Sequence, residues 1–220
     1  MDAELKNNVL KTGTTLVGIV CKDGIVMASD RQSTVGSSLV YSKNSKKTRP
    51  INDYLVIAGT GSVSDIQRVE RILPAELRLK ELRSKSRPTV KQSASLLANI
   101  NYSGIRQPSM IPQMAGFLLG GFNENGETEL YSITPDGSII KIEDYDANFG
   151  SGMPYVLGLL ERQYKSGISV SEGVKLATEA VKSATQRDVG SGYGIDVYTI
   201  TKEGIKQVVS QSIEPNYKDQ

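Results

Sequence analysis

The sequence predicts an α+β domain in which antiparallel sheets are covered by helices. Three observations predict it. Strand-like and helix-like runs come in clusters, in the order strands, two helices, strands, two helices, strands. Turn signals separate neighbouring strand runs at Lys22-Asp23-Gly24, Asn125-Gly126, Asp136-Gly137 and Lys202-Glu203-Gly204. Each helical run carries an apolar face, and two stacked sheets with a helix pair on each outer side would use every such face. A length of 220 residues fits one domain with a large core.

The elements follow in order. Residues 1–13 are polar and without periodicity, and read as a detachable leader. From Thr15 to Ala28 two short strands meet at a turn near Lys22-Asp23-Gly24. Val40–Ser42 and Tyr54–Gly59 are two more strands, and Gly59-Thr60-Gly61-Ser62 is a small-residue turn. Ser64-Asp65 then caps a helix with Ile66, Val69, Ile72, Leu73, Leu77 and Leu82 at helical spacing; Pro74 predicts a kink in it. Pro88–Tyr102 is a second helix, with Val90, Ala94, Leu97 and Ile100 on one face. Strands are predicted at Met114–Phe122, Thr128–Thr134 and Ser138–Glu143. Helices follow at Met153–Tyr164 and Ser169–Arg187, and a closing hairpin pairs Ile195–Thr201 with Ile205–Ser210.

Composition narrows the function classes. The net charge of +2 points to neither nucleic acid nor an anionic membrane. No apolar run approaches the roughly 20 residues of a membrane helix. Met1–Lys11 lacks the apolar core of a secretory signal. Cys21 is the single cysteine, so no intramolecular disulfide forms, which fits a reducing cytoplasm. Its apolar alternating surroundings predict a buried structural thiol. There is no histidine. That excludes Ser-His-Asp and Cys-His triads and the HExxH zinc site, and no metal or cofactor is expected. A hydrolase without histidine needs another base. A chain cut before a threonine carries one, because its new α-amine sits on the residue that bears the hydroxyl. Thr14 is such a threonine, and Gly13 before it leaves the bond sterically open.

An ordered set of motifs spans Thr14–Ser212. It runs Gly13-Thr14-Thr15, Asp23-Gly24, Ala28-Ser29-Asp30-Arg31 and Lys43-Asn44-Ser45-Lys46-Lys47. It continues with Ala75-Glu76-Leu77, Glu81-Leu82, Leu119-Gly120-Gly121 and Gly150-Ser151-Gly152. It closes with Gln186-Arg187-Asp188 and Gly194-Ile195-Asp196-Val197 leading to Ile200-Thr201. In this set the chain resembles the β subunits of 20S proteasomes, those of archaea most. The resemblance implies the four-layer αββα sandwich of N-terminal-nucleophile hydrolases, in agreement with the element order. It also implies a propeptide at 1–13 that removes itself and a peptidase domain at 14–220.

The resemblance assigns roles. Thr14 would be the nucleophile of a threonine endopeptidase, its freed α-amine taking the hydroxyl proton through a water. The Lys-Asn-x-Lys-Lys pattern gives Lys47 as the lysine beside it; counting from Thr14 without a gap reaches Lys46 instead. Lys47 is preferred, because a one-residue insertion in the loop Val35–Leu39 is easily tolerated and brings Gly61 into register. Asp30 would pair with that lysine. Gly61 would give its N–H to the oxyanion. Ser151, Asp188 and Ser191 would surround the terminal amine. Ser33, Ser45, Arg49, Gly59, Val63 and Gln67 match positions lining the substrate pocket, with large apolar side chains the expected occupants. Gly59 leaves that pocket roomy and Arg49 gives it a basic tint. Before cleavage the Thr14 amine is locked in a peptide bond, and Thr14 Oγ attacks the Gly13 carbonyl.

The implied partners are other β subunits in a seven-membered ring, rings of α subunits, an ATP-dependent unfoldase and unfolded protein substrates in the cytoplasm. Met153, where a small polar residue is usual, and Thr60 before Gly61 are mild departures. The competing readings are a structural β-type subunit that keeps its propeptide, a two-ring bacterial relative, and a small-molecule amidase of the same fold.

Overall fold

A computed structural model describes residues 13–36 and 39–213. The proposed leader, apart from Gly13, lies outside the described residues. In chain order the strands are β1 (Leu16–Cys21), β2 (Gly24–Asp30), β3 (Ser33–Val35), β4 (Leu39–Ser42), β5 (Thr48–Pro50) and β6 (Leu55–Gly61). Helices α1 (Val63–Ser84) and α2 (Val90–Ile105) follow. Strands β7 (Ala115–Phe122), β8 (Thr128–Ile133), β9 (Ile139–Ile142) and β10 (Tyr145–Asp146) come next. Helices α3 (Met153–Gln163) and α4 (Val170–Thr185) lead to β11 (Gly194–Thr201) and β12 (Gly204–Ser212).

Two five-stranded sheets result, in the orders β10-β1-β2-β11-β12 and β5-β6-β7-β8-β9, and every pairing in them is antiparallel. The strand period of two distributes side chains between layers. In β2, Ile25 and Met27 enter the inter-sheet core while Val26 and Ala28 face α3 and α4. In β6, Val56 and Ala58 enter the same inter-sheet core while Leu55 and Ile57 face α1 and α2. Leu118 of β7 joins the first set and Phe117 and Leu119 the second. Both faces of each sheet are covered, so the central strands are apolar throughout rather than alternating with polar residues. The architecture is the expected αββα sandwich.

Several local expectations are corrected. The N-cap of α1 is Ser62, not Ser64-Asp65. Asp65 instead accepts the Met114 N–H at 2.9 Å, a tertiary contact that the local pattern does not contain. The helix runs on through Pro74, its buried Val69, Leu73 and Leu77 holding both sides of the proline against the sheet. Helix α2 starts at Val90, because Thr89 and Gln92 form a reciprocal capping box; Ser169 and Glu172 do the same for α4. The short strands β3, β5 and β10 have no predicted counterpart. Cys21 is buried as expected, and burial pushes its thiol up to about 12.

Candidate active site

The loop ends of β1, β2 and β11 converge at one side of the first sheet. Asp30 ends β2 and is fully buried. Its carboxylate accepts four hydrogen bonds. Oδ1 receives the Thr15 N–H at 2.8 Å and Lys47 Nζ at 2.7 Å. Oδ2 receives the N–H groups of Gln32 at 2.8 Å and Gly192 at 3.0 Å. A carboxylate so surrounded is fixed in position, because each of its oxygens is held by two donors at once.

Lys47 is 8% exposed, at the base of β5, whereas Lys46 is on the surface. Burial pushes the Lys47 ammonium below the ordinary lysine value, and the Asp30 charge opposes that shift. Lys47 Nζ also donates to the Gly13 carbonyl oxygen at 3.1 Å. Thr14, 4% exposed, donates its hydroxyl to the same oxygen at 2.6 Å. The Gly13–Thr14 peptide bond therefore has the hydroxyl and the ammonium on its carbonyl at once. Gly61 makes no hydrogen bond to this oxygen. It lines the adjoining pocket with φ +112°, and a Cβ there would collide with the Met114 carbonyl.

A second carboxylate organises the other side of Thr14. Asp188 Oδ2 accepts the hydroxyls of Ser151 and Ser191, each at 2.6 Å. A carboxylate is acceptor-only, so both serines spend their protons on it. Ser151 Oγ is left to accept, and it takes the Thr14 N–H at 3.1 Å. Ser191 Oγ accepts from Thr15 Oγ1 at 2.7 Å by the same reasoning. Asp188 Oδ1 ties down the Gly190 N–H at 3.0 Å. Gly190 lies against Gly13 so closely that a Cβ on either would overlap the other's backbone.

A pocket opens beside Thr14. It is lined by Ser33, Ser45, Arg49, Gly59, Val63 and Gln67, the six positions expected from the sequence. Thr34, Ile66 and Glu70 line it as well, and the sequence reasoning missed them. Thr34 Oγ1 accepts the Gly13 N–H at 3.0 Å. Arg31 and Asp196, recognised only as parts of motifs, form a buried bidentate pair linking β2 to β11, with Nε donating at 2.9 Å and Nη2 at 2.5 Å. Gln32 donates to the Val189 carbonyl at 2.6 Å, so the stretch after β2 is stitched to the 188–192 loop. Among the described residues no group of three or more Cys, Asp or Glu side chains could hold a metal ion.

The profile of the family described as "Proteasome subunit" matches residues 10–200. The chain belongs to the proteasome subunit family. Its similar proteins include proteasome subunit beta 2 of Pyrococcus abyssi, 44% identical over 202 residues, which cover 92% of this chain and 93% of that protein. Proteasome subunit beta of Nanoarchaeum equitans is 42% identical over 195 residues, 89% of this chain and 96% of that one. Proteasome subunit beta of Methanopyrus kandleri is 38% identical over 206 residues, 93% and 95% of the two. The chain is thus a β-type proteasome subunit, and membership of the family implies assembly with other proteasome subunits in rings. Among the described residues, no helix of this subunit is long and apolar enough to cross a membrane.

Proposed function

We propose that this proteasome subunit is a working threonine endopeptidase that frees its own nucleophile by cutting between Gly13 and Thr14. The observation that carries the reading is the pair of donors, Thr14 Oγ1 and Lys47 Nζ, on the Gly13 carbonyl oxygen. In the first step Thr14 Oγ bonds to the Gly13 carbonyl carbon, and negative charge on the oxygen is met by Lys47. The carbon–nitrogen bond breaks, the hydroxyl proton ends on the Thr14 nitrogen, and an ester joins Gly13 to Thr14 Oγ. Water hydrolyses the ester. Gly13 leaves with a carboxylate, and Thr14 regains its hydroxyl beside a new α-amine.

The same parts then act on other chains. Ser151 holds one amine N–H, so the nitrogen lone pair is left free to take the Thr14 hydroxyl proton. The Lys47 charge favours the alkoxide and disfavours protonation of the amine. Substrate acyl transfers to Oγ, the released amine takes the proton, and water completes the cycle. Gly61 is assigned the oxyanion N–H in this second reaction. The subunit acts in a β ring capped by α rings, and its substrates are proteins unfolded by an ATP-driven partner.

The test is co-expression with an α subunit, beside Thr14→Ala, followed by intact mass and N-terminal sequence. The expected result is a chain beginning at Thr14 only when Thr14 is intact. Retention of Met1–Gly13 by both proteins would make this a structural, non-cutting subunit.

A further inference from the structure

The pocket beside Thr14 holds a carboxylate that the chemistry at Thr14 does not use. Glu70, on α1, has a side chain only 10% exposed and lines the pocket. Its Oε1 is buried and receives no hydrogen bond. Arg49 Nε lies 3.1 Å from that oxygen, within ion-pair range, but its N–H is not aligned as a hydrogen bond. The Arg49 guanidinium instead donates Nη2 to the Lys46 carbonyl at 2.5 Å, and its side chain is 44% exposed. Burial pushes the Glu70 carboxyl up, and Arg49 opposes the shift. A buried carboxylate oxygen without a donor is a costly arrangement in a folded chain. The other two such atoms among the described residues, Ser29 Oγ and Thr48 Oγ1, do not line the pocket.

The surroundings leave room for a partner. Gly59 contributes no side chain, and a Cβ there would press on Ile66. Arg49, Gln67 and Glu70 also line a second surface pocket with Pro50, Ile51 and Pro74. The Arg49–Glu70 contact therefore stands between two open spaces.

We propose that Glu70 makes this pocket a receptor for a basic side chain, lysine or arginine, of the substrate residue whose carbonyl Thr14 attacks. This rests on the reading of Thr14 as nucleophile. The incoming cation replaces Arg49 at the carboxylate, so the charge in the pocket does not change. Arg49 gives up a half-exposed, misaligned contact of the kind that contributes little. The substrate supplies the aligned, charge-assisted donor that Oε1 lacks. The other cations at the pocket do not cancel the attraction, because Lys47 is matched by Asp30 and Lys46 is on the surface. An apolar side chain fills the space but leaves Oε1 without a donor, and an acidic one confronts Glu70. The proposal departs from the apolar preference expected from the sequence.

The experiment uses the assembled particle and fluorogenic peptides carrying arginine, leucine or glutamate before the cleaved bond. In the unaltered protein the arginine peptide is cut at least as efficiently as the leucine peptide, and the glutamate peptide least. Glu70→Gln lowers kcat/KM for the arginine peptide about tenfold relative to leucine. Arg49→Ala raises the arginine-to-leucine ratio, and release of residues 1–13 reports that each variant is folded and competent. Cleavage of leucine without arginine in the unaltered protein overturns the proposal and leaves the peptidase reading standing. An equal fall for both peptides in Glu70→Gln overturns it too. If no peptide is cut and residues 1–13 remain attached, the peptidase reading fails and takes this proposal with it.

Discussion

Asp30 and Glu70 are carboxylates near the same threonine, each beside a basic side chain, and they are held in opposite ways. Asp30 has four donors, three from backbone, and a buried lysine at 2.7 Å. Glu70 has an unsatisfied oxygen and an arginine that is half in water. The first arrangement leaves no freedom: three separate stretches of chain, at 15, 32 and 192, must be in place for it to exist. The second can exchange partners. The difference separates a part of the site built for one fixed geometry from a part built to meet varied side chains.

The largest effect that would break this contrast is at Asp30. Asp30→Asn keeps the shape but turns an acceptor into an NH2 donor among N–H groups, and it strips Lys47 of its counter-charge. It is expected to destabilise the fold by about 3–5 kcal/mol, read by denaturant unfolding, and to leave residues 1–13 attached. Retained stability would place Asp30 in the same loose class as Glu70. A smaller effect concerns pH. Burial disfavours the charged form of Lys47 and outweighs the pull of Asp30, so its proton leaves below the ordinary value. The alkaline decline of kcat should therefore have its midpoint below about 10.4, and a limb at or above that value contradicts the role assigned to Lys47. The smallest effect is at Glu70 itself. Because Arg49 is half in water, Glu70→Gln should change unfolding stability by less than about 1 kcal/mol. A loss approaching that of Asp30→Asn would make the Arg49 pair structural.

Much of this was legible in the sequence, for reasons that differ by element. The long strands and helices follow from runs of apolar residues and turn pairs, which are local signals. Strands β3, β5 and β10 are two or three residues long, too short to carry a period of two, and are defined by their pairing: β3 with β4, β5 with β6, and β10 with the distant β1. Asp65 has the composition of a cap and serves as a tertiary acceptor, a choice made by Met114 arriving beside it. In the site, Thr14, Asp30 and Lys47 stand in distinctive motifs, whereas Arg31 and Asp196 needed the β2–β11 pairing to be seen as a pair. Ile66 and Glu70 could have been found. Val63, Ile66, Gln67 and Glu70 share one face of α1 by helical spacing, so naming Val63 and Gln67 as pocket residues already names the others.

The contact between Gly13 and Gly190 separates two kinds of bond. A residue with a side chain cannot occupy the seat of Gly13 without displacing the backbone of Gly190. With Thr14 as the nucleophile, the bond cut once lies in a place that admits only glycine. On the same reading, a substrate residue with a side chain must turn that side chain away from Gly190 and into the pocket. The subunit would thus know its own chain by the lack of a side chain and foreign chains by what they put in the pocket. On that reading one hydroxyl serves both reactions, while the Gly13 seat and the pocket sort their substrates by different means.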